Sequence, residues 1–249
     1  MQNSTPSQLS AQTEPLLAYR AIQAKNGGPA KSVVVLFHGV GSNGANLVDL
    51  ALYWRDMLPD TEFICADGPE AYDLVPEDIA HEMNAWQWFS LAGVYDGELQ
   101  MGGKTLQIMR QRAEKNLPLI QAFLAQILAA RNLPASRLAL AGFSQGCMMA
   151  LAAGLAASPP LAGVIGYSGV LMADTAEQLP QQNRPPILLV HGEKDTEVPF
   201  SALAHSEKIL HAANCDVLAI ARPDLGHSID EFGLMAGGKF LQQIFQTVK

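Results

Sequence analysis

The stretch Arg137-Leu-Ala-Leu-Ala141 runs directly into Gly142-Phe-Ser144-Gln-Gly146, and the small apolar run CMMALAAGLAA follows over residues 147–157. The first run predicts a buried strand and the last predicts a helix. The G-x-S-x-G pattern then forms a sharp strand-to-helix turn with Ser144 at its tip. Glycine two residues to either side avoids Cβ clashes where strand and helix pack closely. This context favours Ser144 as a nucleophile over a simple helix N-cap.

Apolar runs of the same kind recur along the chain and alternate with helical patterns. Strands are predicted over residues 33–37, 62–66, 137–141, 161–167, 187–190 and 217–221. Helices are predicted over residues 46–58, 105–131, 145–157, 201–213 and 231–248. Continuous apolar strands separated by helices predict an α/β fold, with a mostly parallel central sheet and helices on both faces. Pro118 predicts a kink or a break in the second helix.

Two segments do not follow this alternation. Residues 1–15 form a polar stretch that predicts a flexible arm, which leaves residues 16–249 as one α/β domain. Residues 68–103 are rich in Gly, Pro and Asp, and they predict a long loop insertion. Its aromatic residues favour a loop packed beside the active site: Tyr72, Trp86, Trp88, Phe89 and Tyr95.

The composition excludes several classes of protein. A net charge of −8 argues against nucleic acid as a partner, because phosphate binding needs a basic surface. The three cysteines are odd in number and form no CxxC pair, so reduced thiols in the cytoplasm are expected. The N-terminus has no secretory signal pattern, and the most apolar stretch is too short to span a membrane. Neither a metal-ligand cluster nor a cofactor fingerprint occurs, and a monomer and a homodimer both stay open.

A second glycine-rich motif ends the first long strand, in Phe37-His38-Gly39-Val40-Gly41. In a sheet of this kind, the loop after that strand supplies one backbone N–H to an oxyanion, and the residue after the nucleophile supplies the other. We therefore expect the Val40 and Gln145 amides to form the oxyanion hole. His38 is interpreted as a histidine that packs under the loop, because a later histidine fits the order of a catalytic triad.

The acid and the base are predicted from the last two motifs. Asp195 follows a buried strand that ends in His-Gly, and His227 lies between the last strand and the last helix. Where the nucleophile lies on a strand–turn–helix unit, the triad residues follow one another along the chain in the order Ser, Asp, His, and this chain has the same order. Glu193 and Glu197 lie on the same loop as Asp195 and compete for the role of the acid, and Glu197 is expected to be solvated. Asp195 is favoured over both.

Four segments of the chain resemble the phospholipase/carboxylesterase family of α/β-hydrolases: LFHGVGSNG, AGFSQGCMMAL, LLVHGEKDTEVP and DLGHSID. The family includes small bacterial carboxylesterases and acyl-protein thioesterases, and the resemblance extends from about Val33 to the C-terminus. It implies Ser144 as the nucleophile, Asp195 as the residue that orients the imidazole, and His227 as the base. It also implies oxyanion amides at Val40 and Gln145, and no cofactor.

The resemblance also implies an aromatic acyl site at Trp86-Gln-Trp88-Phe-Ser90. This stretch looks closer to the bacterial esterases than to the thioesterases, and it makes Trp86, Trp88 and Phe89 candidate substrate contacts. We therefore expect a serine carboxylesterase that hydrolyses short to medium acyl esters through an acyl-enzyme. The alternatives are a lysophospholipase or an acyl-protein thioesterase, and a non-catalytic binding protein of the same fold. The expected partner is a small ester, without integral membrane association.

Overall fold

The structure is a computed structural model, and it describes residues 14–94, 99, 102–181 and 184–247. Most of the predicted N-terminal arm and Tyr95 lie outside these residues. The described end of the arm packs on the rest of the chain, because the Gln126 side chain accepts a hydrogen bond from Leu16 N at 3.0 Å and donates one to Glu14 O at 2.8 Å.

The strands of the described part of the chain fall into a large central sheet and a small two-stranded one. They are β1 (Tyr19–Ile22), β2 (Ser32–Phe37), β3 (Thr61–Ala66), β4 (Glu70–Ala71), β5 (Trp86–Gln87), β6 (Leu138–Phe143), β7 (Gly163–Tyr167), β8 (Ile187–Gly192) and β9 (Val217–Arg222). The central sheet has the order β1-β3-β2-β6-β7-β8-β9, and β4 pairs with β5. Only β1 among the central strands runs antiparallel to its neighbour.

The helices cover both faces of the central sheet. They are α1 (Val48–Met57), α2 (Glu77–Glu82), α3 (Gly103–Arg131), α4 (Gln145–Ala156), α5 (Ser201–Ala212) and α6 (Glu231–Thr247). One apolar core lies between the sheet and α3, α4 and α5, and the other lies between the sheet and α1 and α6. The described ranges contain no helix with the length and apolar character that crossing a membrane would require.

All six predicted strands and all five predicted helices are confirmed, with ends that shift by no more than two residues. The predicted break at Pro118 is wrong, because α3 continues through this residue as one helix of 29 residues. A proline inside a helix costs about 3 kcal/mol. The helix buries apolar residues on both sides of Pro118, from Leu106 and Met109 to Ile120 and Phe123, and this packing outweighs the cost.

The predicted insertion over residues 68–103 is more regular than a loop. It contains β4, α2 and β5, and α3 already begins at Gly103. These elements and the edge strand β1 are short, and their sequences carry no clear period. The short strands among them form because their backbones pair with a neighbouring strand. Glu70 pairs with Gln87, and Tyr19 pairs with Ala66.

The strand order places a crevice at the carboxyl ends of β2 and β6. From β2 the chain goes to β3 on one side, and the later strands β6 to β9 build up on the other side. In open α/β sheets, such a reversal of direction leaves a gap between the loops that follow the two strands, where ligands bind. The loop from His38 to Gly41 follows β2 and Ser144 follows β6, so both lie at this crevice.

Candidate active site

The backbone of Ser144 adopts a conformation that L-residues rarely take. Its φ is 55° and its ψ is −120°, between the end of β6 and the start of α4. Ser144 N donates to Tyr167 O at 2.9 Å on the neighbouring strand, which holds the turn against the sheet. Strain of this kind persists only where the surroundings enforce it, and it is concentrated at functional sites.

The two glycines of the G-x-S-x-G turn allow the backbone contacts that enforce this conformation. A Cβ atom on Gly142 would lie well inside van der Waals contact of Gly146 O, and one on Gly146 would collide with Phe37 O. Because the obstructing atoms are backbone, they cannot rotate away. The predicted role of both glycines in close packing is confirmed.

Replacing Gly146 by alanine should therefore push α4 away from β2 and destabilise the protein. Overpacking of this kind costs roughly 1–3 kcal/mol. For a chain of this size the melting temperature should fall by about 2–12 °C. Any activity that depends on Ser144 should fall with it, since Ser144 lies in the same turn. Gly28→Ala is the matched control, because a Cβ atom on Gly28 would meet nothing within 4 Å, and equal melting temperatures for the two variants would contradict the argument.

The predicted acid and base lie in direct contact. His227 Nδ1 and Asp195 Oδ2 are 2.8 Å apart, and the side chains are 10% and 0% exposed. The other carboxylate oxygen, Oδ1, accepts from Glu197 N at 3.0 Å and from Val198 N at 2.9 Å. A carboxylate can only accept, so Nδ1 carries the proton and Nε2 of the neutral imidazole is free to act as a base.

Hydrogen bonds keep Asp195 ionised in this buried position. Burial by itself would raise the pKa of the Asp195 carboxyl group, but hydrogen bonds from His191, His227 and Val198 N outweigh it and hold the pKa well below its usual range. The stability that this lowered pKa contributes is fully present above pH ~4, where an unfolded aspartate is ionised, and it is lost as the pH falls towards the folded-state pKa.

His191 is a contact of Asp195 that the sequence did not single out. Its Nε2 lies 2.9 Å from Val198 O and 3.2 Å from Asp195 Oδ2. A carbonyl oxygen can only accept, so Nε2 carries a proton, which also faces the carboxylate. The His-Gly sequence at the end of β8 was the available signal, since it puts an imidazole beside the acid four residues later.

The two competing acids of the same loop do not contact Nδ1 of the base. Glu193 is exposed, and its backbone N donates to Arg222 O at 3.0 Å. Glu197 Oε2 lies 3.8 Å from His227 Nε2, on the opposite edge of the ring from Asp195. Glu197 is half exposed, as expected, but it borders the cavity described next rather than open solvent alone.

Ser144 and His227 line one cavity of about 610 Å³. The ring of Phe143, next to the serine, packs 4.8 Å from the imidazole ring of His227. Besides Val40 and Phe143, the apolar part of the cavity wall comes from α1 and its preceding turn, the loop before α6 and the start of α6: Leu47, Leu50, Tyr53, Ile229 and Leu234. The sequence did not predict these residues, although Leu50 and Tyr53 lie one helical turn apart.

The loop that carries Val40 is held at the cavity from two sides. Gly41 N donates to Trp86 O at 2.9 Å, and Trp86 N donates to Ser42 O at 2.8 Å. Val40 lines the cavity beside Ser144, and Gln145 is the first residue of α4, where a helix has backbone N–H groups without a helical partner. Both predicted oxyanion donors thus lie on backbone that flanks the serine.

His38 supports this loop, as the sequence interpretation expected. Nδ1 donates to Gly39 O at 2.6 Å, and Nε2 accepts from Gly68 N at 2.9 Å. Burial lowers the pKa of His38 to about 4, so the ring is neutral near pH 7. One fixed tautomer therefore ties the loop after β2 to the loop after β3.

The aromatic residues lie away from the cavity, which disagrees with their predicted contact with substrate. Trp88 and Phe89 are fully buried at 0% exposure. Trp88 Nε1 donates to His38 O at 2.8 Å, and the Gln145 side chain accepts from Trp88 N at 2.8 Å and donates to Phe89 O at 2.6 Å. Trp86 is half-buried and donates from Nε1 to Asn84 Oδ1.

None of these three aromatic residues is among the described residues that line the cavity of Ser144. A side chain without exposed surface cannot touch a bound ester in this conformation, and large aromatics are most often packing residues. Trp88 and Phe89 lie beneath the loop that carries Val40, so this conformation does not support their predicted contact with substrate. No group of three or more His, Cys, Asp or Glu side chains in the described ranges comes together as a metal site would require.

Comparisons with known proteins show which sequences and folds this chain resembles. The family model described as Phospholipase/Carboxylesterase matches residues 17–245. The solved structure of esterase PE8 is 33% identical, covers 92% of this chain and 99% of its own, and superimposes with a TM-score of 0.79. The acyl-protein thioesterase 1 of Schizosaccharomyces pombe is 29% identical over 220 residues, which are 86% of this chain and 91% of that protein.

A bacterial relative matches over a similar length, and a more distant solved structure shares the fold. Esterase YpfH of Escherichia coli is 27% identical over 205 residues, which are 81% of this chain and 78% of that protein. The carboxylesterase of Bacillus cereus is 14% identical with a TM-score of 0.67, and covers 92% of this chain and 94% of its own. At that identity the likeness concerns the fold alone.

Proposed function

The chain belongs to the phospholipase/carboxylesterase family, and on this premise we propose that it is a serine carboxylesterase that hydrolyses short to medium acyl esters. The observation that carries the proposal is that Ser144 and His227 line one cavity, while Asp195 holds the far nitrogen of His227 at 2.8 Å. A nucleophile, a base and a group that orients the base are the parts that acyl transfer requires.

In the first half of the proposed reaction, Ser144 Oγ attacks the carbonyl carbon of the ester as His227 Nε2 takes the hydroxyl proton. The tetrahedral intermediate collapses, the bond to the leaving oxygen breaks, and Nε2 returns its proton to the alcohol. In the second half, water attacks the acyl-enzyme by the same route, and the acid leaves with Ser144 restored. Asp195 stays ionised throughout and stabilises the imidazolium.

The negative charge that develops on the carbonyl oxygen needs donors that are already in place. The N–H groups of Val40 and Gln145 supply them in this proposal, and the N-terminus of α4 adds a favourable dipole. Removing one such donor in a serine protease costs about 10²–10³ in kcat. The buried hydrogen bonds of His38 and of the Gln145 side chain keep these two pieces of backbone in fixed positions.

The cavity supports a small ester as the substrate. Small-molecule sites have volumes of roughly 300–1,000 Å³, and the cavity of about 610 Å³ lies within this range. Its apolar wall can bury acyl methylenes, each of which contributes about 0.8 kcal/mol, so the rate should climb with chain length until the wall ends. Tyr53 and Phe143, rather than Trp88, are the large aromatic rings among the described residues of this wall.

Shortening Tyr53 should therefore change the chain-length profile. We expect kcat/KM for p-nitrophenyl esters of two to sixteen carbons to peak at short or medium length, and Tyr53→Ala to lower the rate for esters at the peak by about tenfold or less. Leu52→Ala is the matched control, because Leu52 is an exposed neighbour on α1 that is not among the lining residues. A wild-type optimum at palmitate would contradict the short-chain assignment.

A covalent probe tests the serine mechanism directly. A fluorophosphonate should label the wild-type protein once, and peptide mass spectrometry should place the label on Ser144. Labelling on any other serine, or none at conditions where a known serine esterase reacts, would exclude the proposal and favour a non-catalytic binding protein.

Thioester hydrolysis is a second candidate, because curated relatives are named acyl-protein thioesterase 1. The same three residues can cleave either bond, so the geometry does not separate them. Comparing kcat/KM for an ester and a thioester with the same acyl group would. A strong preference for the thioester, maintained with a palmitoylated peptide, would make the second candidate the main activity.

A further inference from the structure

The loop that carries Asp195 places a second carboxylate on the other edge of the His227 ring. Asp195 contacts Nδ1, whereas Glu197 Oε2 lies 3.8 Å from Nε2. In the proposed mechanism Nε2 exchanges protons with Ser144 and with the leaving group. Glu197 is therefore on the substrate side of the imidazole.

The backbone fixes Glu197 at this place. Its N–H donates to Asp195 Oδ1 at 3.0 Å, and its carbonyl accepts from Leu99 N at 2.8 Å. The next residue, Val198, is buried and donates to the same carboxylate oxygen. The Glu197 side chain, which is 51% exposed, extends from this anchored backbone and lines the cavity.

The described wall of the cavity carries two carboxylates, and its basic side chains are the imidazoles of His38 and His227. Its acidic residues are Asp49 and Glu197, and no Lys or Arg is among the described lining residues. Glu197 attracts a cation beside it and repels an anion. At a half-exposed site the interaction energy lies between the value for two charges in water and the value for two charges near a protein surface. This corresponds to a preference on the order of tenfold.

We propose that Glu197 is a specificity-determining residue that makes the site prefer esters with a cationic group near the scissile bond over neutral esters of the same shape. This inference rests on the proposed esterase function. An ammonium group a few ångströms from the carbonyl carbon would lie within reach of the Glu197 carboxylate. The same charge would weaken binding of the carboxylate product that hydrolysis releases.

A pair of esters that differ only in charge tests the proposal. Butyrylcholine and 3,3-dimethylbutyl butyrate have the same acyl group and nearly the same shape, and acid release can be followed with a pH-stat. We expect kcat/KM of the wild type to favour butyrylcholine about tenfold, and Glu197→Gln to bring the ratio close to one. The ratio is the readout because Glu197 also lies beside His227, so absolute rates will change in this variant.

Two further variants place the effect on one residue. Glu193→Gln removes an exposed carboxylate of the same loop that is not among the lining residues, and it should keep the wild-type ratio. Asp49→Asn should lower the ratio less than Glu197→Gln does. Added salt should reduce the wild-type preference, since charges at a half-exposed site are partly screened. Butyrate should inhibit Glu197→Gln more strongly than the wild type.

The outcomes are distinct. A wild type that cleaves both esters equally well, or a ratio that survives Glu197→Gln, overturns the assignment to Glu197 and leaves the esterase function standing. A ratio lost in Asp49→Asn but kept in Glu197→Gln moves the determinant to α1 and also overturns it. A wild type that cleaves neither ester nor any p-nitrophenyl ester overturns the proposed function together with this inference.

Discussion

Ser144→Ala is expected to remove nearly all esterase activity while the fold stays intact. The hydroxyl group is the attacking atom in the proposed mechanism, and no other serine lies at the strand-to-helix turn after β6. Loss of a triad member leaves only about 10³–10⁴-fold acceleration over water, which comes from the oxyanion hole and from binding. The measurement is kcat/KM on p-nitrophenyl acetate, together with circular dichroism and the melting temperature.

Ser168→Ala is the matched control for this experiment. Ser168 is also a buried serine with a positive φ, of 47°, and it follows the neighbouring strand β7. Its hydroxyl donates to Ser228 O at 3.4 Å, and Ser168 is not among the described lining residues of the cavity. This variant should keep most of its activity. Wild-type rates in Ser144→Ala would show that the nucleophile has been misassigned.

Asp195→Asn should lower turnover by about 10⁴, because it places the proton on the wrong nitrogen of His227. The two backbone donors, Glu197 N and Val198 N, require an acceptor at the Oδ1 position. The asparagine oxygen must therefore occupy that position, and its NH₂ group faces His227 Nδ1. Nδ1 then has to accept, the proton moves to Nε2, and Nε2 can no longer take the proton of Ser144.

The loop itself provides the control for Asp195→Asn. Glu193→Gln removes an exposed charge two residues away and should leave kcat within a factor of about two to three, as surface substitutions usually do. A mild effect of Asp195→Asn combined with a loss of about 10⁴ in Glu193→Gln would transfer the role of the acid along the loop. Retained stability at neutral pH should be checked for both variants by thermal unfolding.

Local patterns of the sequence determined the sheet, its helices and the turn at Ser144. Buried parallel strands need continuous apolar runs, and helices need apolar residues at their own spacing, so both can be read from short windows. The turn is equally local, since Gly142 and Gly146 are required by atoms within the same strand–turn–helix unit and the adjacent β2. The continuation of α3 through Pro118 could not be read from a short window, because it depends on the apolar residues that the helix buries.

Only the tertiary structure decided which side chains meet. Asp195 and His227 are 32 residues apart, and the choice of Asp195 over Glu193 and Glu197 depends on the direction in which one loop presents three acids. The burial of Trp88 depends on His38 and Gln145, which lie 50 and 57 residues away.

The same holds for the position of Glu197 beside Nε2 of His227 and for the wall that α1 contributes to the cavity. Spacing along the chain fixes the face of a strand or helix on which a residue lies, because backbone geometry sets the period. Spacing along the chain does not fix which residue of a distant loop lies opposite that face. That depends on packing and hydrogen bonds between segments that come together only in the folded chain.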